Sequence, residues 1–511
     1  MRRNREELKK MPPAPDSVSE RETSRRRFLQ AGSGLLAGTA ISSMLPSEVE
    51  AQQGNKNSET QERVQRQGRD PQRRILVKGG TVISMDPKVG DFVKGDVLIE
   101  GKKIVDVGSN INAQAEVIDA SAMIVIPGFV DAHRHCWENQ FRRVIPNADI
   151  AGYNSFRDHV AQFYKPEDMY AANLISALGC IDSGTTCVMD WSHNSRTAEL
   201  SDAAIQALFD SGVRAVHGYS APADTGKWDH QHPQDLIRIR KKYFSSEDQL
   251  VTIAMATLAF YDGKASDIEF AREHGVRITM DGLSGTYARV VEELEQSHLV
   301  GPDMTFIHCT AVSDAGWRLI ADNGATVAMA PTSDMQIGLG PAVPPIQKAL
   351  DFGIRPALSV DVECSLPTDF FTQMRVALYV QRSAAFNRKY QGEPHPPAPI
   401  TMRDVLEFGT VQGARANGLL NKCGTLTPGK EADLVLIRAD EINNMPLNNA
   451  IATVVSGSDS RNIDTVIIGG KLKKFRGKLL GVDMEKIRRL VHQSRDGILA
   501  RSGYKFDDVT S

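Results

Sequence analysis

Between residues 124 and 361 the sequence sets down eight short apolar runs, most of them separated by longer stretches with helical spacing. They are IVIPGFVDAH (124–133), TTCVMDW (185–191), VRAVHGY (213–219), LVTIAMA (250–256), VRITMD (276–281), MTFIHC (304–309), ATVAMA (325–330) and RPALSVD (355–361). This alternation restricts the fold more than any other feature. Strands separated by helices such as KPEDMYAANLISALGCIDSG pair in parallel, and eight such units close into a barrel with an outer helical ring.

The flanks have a different texture. From Arg74, ILVKGGTVISM and DVLIEGKKIVDVG read as hairpin strands bounded by Gly, Asp and Lys turns, and after Gly424 the same texture returns in GTLTPGKEADLVLIRAD and IDTVIIGGKLKKFRG. The expected organisation is one β-sandwich built from segments 73–126 and 421–480, interrupted by a barrel over 127–420 and followed by a terminal helix within 481–511.

The N-terminus carries an address. TSRRRFLQ sets Arg25 and Arg26 before Phe28 and Leu29, and a Gly-rich apolar run, AGSGLLAGTAISSML, follows. That run is shorter than the ~20 residues a bilayer span needs, and Val49, Glu50 and Ala51 offer a small-residue cleavage site. Residues 1–51 therefore resemble a twin-arginine signal peptide. This implies the twin-arginine export machinery as a partner, a periplasmic or secreted location, and no stable membrane anchor after processing. The plain alternative is a surface helix with a chance arginine pair. Residues 52–72 are polar and nearly free of apolar side chains, the composition of a disordered linker.

Composition narrows the partners. Sixty Lys and Arg against 63 Asp and Glu give a formal charge of −3, too little to draw nucleic acid or an anionic membrane over distance. A small molecule is the expected partner, and a homo-oligomer is compatible with the sequence. Six cysteines in 511 residues are too sparse for a disulfide scaffold.

The stretch PGFVDAHRHCWENQ places His133 and His135 at the end of the first barrel strand. Strand residues i and i+2 share a face with Cα atoms about 6.6 Å apart, so both imidazoles aim into the barrel mouth, where barrel active sites are built. Two satisfied polar histidines are the alternative.

Together with IHCTAVSD (307–314), LSVDVECS (358–365) and GTLTPGKEADLVLI (424–437), this stretch resembles the amidohydrolase superfamily, in its cytosine deaminase and chlorotriazine hydrolase branch. The resemblance covers residues 74–480 or so and implies a (β/α)8 TIM-type barrel with a flanking β-sandwich, and one divalent metal ion, zinc first, with iron or manganese as alternatives. It further implies that His133, His135 and Asp361 bind the metal, that Asp361 is also the base for an activated water, and that His308 steadies the water or the substrate oxygen. The chemistry agrees, since a divalent metal lowers the pKa of a bound water from about 15.7 to about 7.

The fifth strand departs from the family pattern. VRITMDGLSG sets Asp281 where a histidine ligand is usual and Ser284 where a proton-shuttling glutamate is usual. Asp281 can still bind a divalent metal. Lacking the glutamate, hydrolysis of a C–N bond in a small, cyclic nitrogenous compound is expected, by metal-activated water with Asp361 as base. The alternatives are an aminohydrolase of a purine, pyrimidine or triazine-like ring that finds its shuttle elsewhere, and a metal-free binder.

Glu363, Glu138 and the Asp190–His193 pair are candidate substitutes, set against ordinary loop carboxylates or caps. Trp137, Trp191, His193 and Glu363 are candidate substrate contacts, with core packing as the alternative for the tryptophans. Strand parity turns Cys136 and Cys309 outward as packing thiols. The loop DTGKWDHQHPQD, with Trp228, His230 and His232, is read as a solvated loop, with a lid as the alternative.

Overall fold

The computed structural model describes residues 72–223, 232–246, 248–341 and 343–506. The expected signal segment 1–51, nearly all of the expected 52–72 linker, and Trp228 and His230 lie outside the described residues.

All eight expected barrel strands are present: β6 (Phe129–Arg134), β7 (Thr185–Ser192), β8 (Arg214–Tyr219), β9 (Val251–Leu258), β10 (Ile278–Asp281), β11 (Met304–Ile307), β12 (Thr326–Met329) and β13 (Ala357–Leu358). They pair in parallel in chain order. The ring is joined by a parallel bridge between Arg134 and Asp361, where Asp361 N–H donates to the His133 carbonyl and His135 N–H to the Asp361 carbonyl, both at 3.0 Å. Val188, Ala215, Met255 and Phe306 face the surrounding helices in one buried core, while Val130, Met189, Val216 and Ala254 fill the interior.

A separate mixed sheet is built from β1 (Arg74–Ile83), β2 (Asp91–Glu100), β3 (Lys103–Gly108), β4 (Glu116–Asp119), β5 (Met123–Pro127), β14 (Leu434–Arg438), β15 (Ile463–Ile468), β16 (Lys471–Phe475) and β17 (Lys478–Leu479). Strand pairing links all nine into one hydrogen-bonded sheet about its own apolar core. Its two halves meet where β14 pairs antiparallel with β5, Leu434 opposite Pro127 through Arg438 opposite Met123.

The first apolar run serves both sheets. IVIP belongs to β5 and FVDAH to β6, with Gly128 between them. A Cβ at Gly128 would lie 2.1 Å from Thr186 Oγ1, so only glycine lets the chain pass β7 this closely. The expected terminal helix spans Met484–Ser502. It packs Ile487 beside Leu174 and Leu178 of the helix Pro166–Asp182.

Behind the site, Arg134 and Glu363 anchor a buried ion network. The Arg134 guanidinium donates to Asp131 at 2.7 Å and to Glu363, and Glu363 also accepts from Arg142 (2.6 Å), Asn139 (2.8 Å) and Thr368 (2.6 Å). Burial opposes ionisation of Glu363, yet Arg142 and Arg134 hold its pKa at about 2. Glu363 therefore supports the fold rather than a substrate, and the expected substrate contact is corrected. The stability it contributes is present above a pH of about 4.5 and is lost as the pH falls towards 2. Glu363→Gln is expected to cost about 3 kcal/mol at pH 7, as breaking a buried ion pair does, and less at pH 3. Metal content is expected to stay unchanged; urea unfolding at both pH values with metal analysis checks this.

Candidate metal centre

The end of β6 and the segment after β13 are stitched together by the bridge at Asp361, which brings His133, His135 and Asp361 into one place. His133 Nε2 and His135 Nε2 lie 3.1 and 3.2 Å from Asp361 Oδ1. Across the mouth, Asp281 at the end of β10 sets Oδ2 3.7 and 3.6 Å from the same two nitrogens, and its Oδ1 lies 3.3 Å from His308 Nε2. All five are buried. The ligand atoms of His133, His135 and Asp361 lie within 4.8 Å of one another, as do those of His133, Asp281 and His308. The structure thus brings together every expected ligand, Asp281 included, and His308 with them.

Backbone conformation aims two of these side chains. His308 (φ 65°) and Asp361 (φ 72°) occupy the left-handed region, which non-glycine residues rarely adopt and which recurs at functional sites.

Hydrogen bonds orient the imidazoles. His135 Nδ1–H donates to the Trp191 carbonyl at 3.0 Å, leaving Nε2 to face the cluster. Asp334 Oδ1 sits 2.8 Å from His308 Nδ1 and does the same for that ring. Ser333 Oγ–H donates to Asp361 Oδ2. Such outer partners fix the tautomer and direction of a ligand. Neither Ser333 nor Asp334 was marked by the motif reading; the polar PTSD that ends the seventh strand run is the signal that points to them.

The electrostatics call for a cation. Burial works against ionisation of Asp361 and Asp281, but the surrounding histidines hold both carboxyls well below the usual carboxylate range. His135, despite burial, is pushed up to about 10 by Asp281 and Asp361, and His308 is raised as well. Two buried carboxylates thus draw positive charge to this point. A divalent cation provides it in place of protons, and the imidazole and carboxylate donor set suits one.

Above the cluster opens a cavity of about 310 Å³, within the range of small-molecule sites. Ile150, Tyr153, Leu258, Phe260 and Leu339 form its apolar wall, with Arg157, His193 and Ser284 as polar groups. His193 stacks on His135 with centroids 4.1 Å apart. The Trp137 indole N–H donates to His193 Nδ1 at 2.9 Å, which places the His193 proton on Nε2. Burial, then His135 and Arg157, push its pKa well below the ordinary value, so His193 is a neutral donor.

The expected substrate-contacting role of Trp137 and Trp191 is corrected: both are buried and neither lines the cavity. Trp137 positions His193, and Trp191 positions His135 through its carbonyl while its indole donates to Thr279 at 3.3 Å.

Other candidates fall elsewhere. Asp190 binds His217 Nδ1 at 2.8 Å and is fully buried, away from the cavity lining. Glu138 is buried, not a loop carboxylate; burial raises it to about 7, and Tyr153 O–H donates to it at 2.9 Å. His232 is buried against Asp267 at 3.0 Å, not solvated. All six cysteines are buried free thiols.

The Amidohydrolase family model matches residues 124–473, well over half of the chain. The chain belongs to the Amidohydrolase family. Among its relatives, the 5-methylthioadenosine/S-adenosylhomocysteine deaminase of Pyrococcus abyssi is 28% identical over 81% of this chain and 96% of its own. The 5'-deoxyadenosine deaminase of Methanosarcina mazei is 26% identical over 84% and 99%. Solved structures share the fold. An adenosine deaminase from Xanthomonas campestris with bound zinc has a TM-score of 0.73 at 19% identity, covering 83% of this chain and 98% of its own. Atrazine chlorohydrolase from Arthrobacter aurescens with zinc has 0.71 at 21%, covering 83% and 100%.

Asp281 decides whether the family's fifth-strand position keeps a ligand. Its Oδ1 accepts from Gly282 N–H at 2.6 Å while Oδ2 faces His133 and His135, so the carboxylate points inward. Asp281→Asn is expected to weaken zinc affinity by at least about 10- to 100-fold. Asp281→His is expected to keep or tighten it by restoring a nitrogen donor. Metal titration of both variants checks the divergence; equal affinities in wild type and Asp281→Asn would remove Asp281 from the ligand set.

Proposed function

We propose that this chain is a metal-dependent hydrolase that cleaves a C–N bond of a small, cyclic nitrogenous compound, with zinc held by His133, His135, Asp281 and Asp361. The observation that carries this reading is the convergence of these side chains and His308 beneath one cavity at the barrel mouth. When bound there, the metal lowers the pKa of water, making a nucleophile available at neutral pH.

The residues divide the remaining work. Asp361, ionised and with Oδ2 fixed by Ser333, accepts the proton that water gives up as it adds to the ring carbon. His308, oriented by Asp334, directs Nε2 towards the oxygen that develops charge. His193 donates from Nε2 to a substrate acceptor, and the apolar wall excludes water. Cleavage leaves hydroxyl on carbon and returns a proton to nitrogen.

Two leaving groups fit this scheme. Ser284 in place of a glutamate favours an amide or ring bond, whose nitrogen stays attached to the product. Tyr153 at the cavity wall, whose O–H donates to the buried Glu138, together with the similarity to adenine-nucleoside deaminases, favours release of ammonia from an aminated purine, pyrimidine or triazine-like ring. The test is turnover by protein reconstituted with zinc, iron or manganese, offered aminated nucleosides, pyrimidines, triazines and lactams. Ammonia release and ring opening are measured separately. About one metal per chain with turnover of one class supports the reading. Failure to retain any metal would instead support a binder.

A further inference from the structure

The cavity above the candidate metal centre has two unlike regions. Its inner end is polar, made by His135, His193, Asp281, His308 and Asp361. Its rim is aromatic. Phe260 and Tyr287 line it while 37% and 48% exposed, whereas Tyr153, on the same cavity, is only 6% exposed. The two rim rings lean on each other, with centroids 5.5 Å apart and planes at 53°. One exposed apolar side chain needs no explanation, but two aromatic rings side by side at the edge of a polar cleft form a surface that a ligand can cover.

The backbone ties this pair to the centre. Phe260 follows β9, and the N–H of Ala259, just before it, donates to the Asp281 carbonyl at 2.8 Å. Gly282, directly after Asp281, has φ +84°, and a Cβ there would lie 3.3 Å from both Cδ1 and Cε1 of Phe260. A side chain at this position would crowd the ring; glycine lets it lie across the end of β10. Tyr287 stands on the short helical turn Gly285–Arg289 that comes next, where its N–H donates to the Ser284 carbonyl at 3.1 Å. The aromatic surface therefore begins beside a candidate ligand and becomes more exposed away from it.

The rest of the lining favours an apolar occupant of this region. Ile150, Ile337 and Leu339 belong to the same cavity, and its volume of about 310 Å³ lies in the range that takes ligands larger than a single ring.

We propose that Phe260 and Tyr287 form a specificity subsite for a flat apolar substituent that the substrate carries away from its reacting C–N bond. This rests on the metal-centred reading given above and adds that the substrate has two parts, a polar ring at the centre and an apolar group at the rim. A strongly hydrated substituent gains nothing there, because the two rings offer faces and not hydrogen bonds.

Hydroxamates chelate zinc whatever the natural substrate, so they separate the subsite from the identity of the ring. Calorimetric titration of the full-length zinc-loaded protein compares propanohydroxamate with 3-phenylpropanohydroxamate, which differ only in the phenyl group. The phenyl compound is expected to bind at least about tenfold more tightly, the gain that burying one aromatic ring brings. Phe260→Ala and Tyr287→Ala are each expected to shrink that ratio about threefold or more. Both side chains are exposed, so neither change opens the core. Equal affinities of the two hydroxamates, or a ratio unchanged in both variants, overturns the subsite and leaves the metal centre standing. Failure of both compounds to bind removes the metal-centred reading, and the subsite falls with it.

Discussion

His133→Ala and His135→Ala are each expected to purify with less than about one-tenth of the wild-type metal and to lose activity by at least about 10³-fold, beyond the 10²–10³ that removal of one electrostatic contact costs. Each change removes one of two nitrogen donors that share the face of a single strand and leaves two carboxylates crowded together. The barrel is expected to persist, because β6 is held by its ladder to β7 and by Phe129 stacked on Phe370 at 5.7 Å. Metal analysis, turnover and far-ultraviolet circular dichroism on the same preparations check all three parts. Full metal occupancy in either variant would refute the assignment.

Asp361→Asn is expected to separate chemistry from binding. The amide keeps the shape and one carbonyl oxygen for the metal, and asparagine tolerates the left-handed backbone that Asp361 adopts at φ 72°. It cannot take a proton from water. Turnover is expected to fall by about 10³-fold or more while metal affinity drops far less, on the order of tenfold. Activity measured at saturating zinc decides the point: recovery there would make Asp361 a ligand without a role as base.

The barrel was legible because apolar periodicity is a local property, and each of the eight runs carries its own strand signal. The candidate site was legible because His133, His135, His308 and Asp361 stand at strand ends inside motifs that resemble those of the family. What was not legible depends on contacts between distant segments. Asp334 meets His308 only through the turn after β12. Glu363 looked available to a substrate because nothing near it in sequence revealed that Arg142, Asn139 and Thr368 converge on it. Trp137 and Trp191 were placed correctly near the site, yet aromatic character alone does not tell a cavity wall from a support for the histidine beyond it.

The junction at Gly128 bears on the order in which the protein is made. β5 leaves the ribosome early and runs directly into the strand that carries both histidines, but its partner β14 emerges only after the whole barrel. Until then β5 is an open edge of Ile and Val, the kind of surface that pairs with other chains. A nascent or truncated product ending before Leu434 would therefore be prone to aggregate even with every candidate metal-binding side chain present, and the last 78 residues of the chain protect a site to which they contribute no candidate ligand.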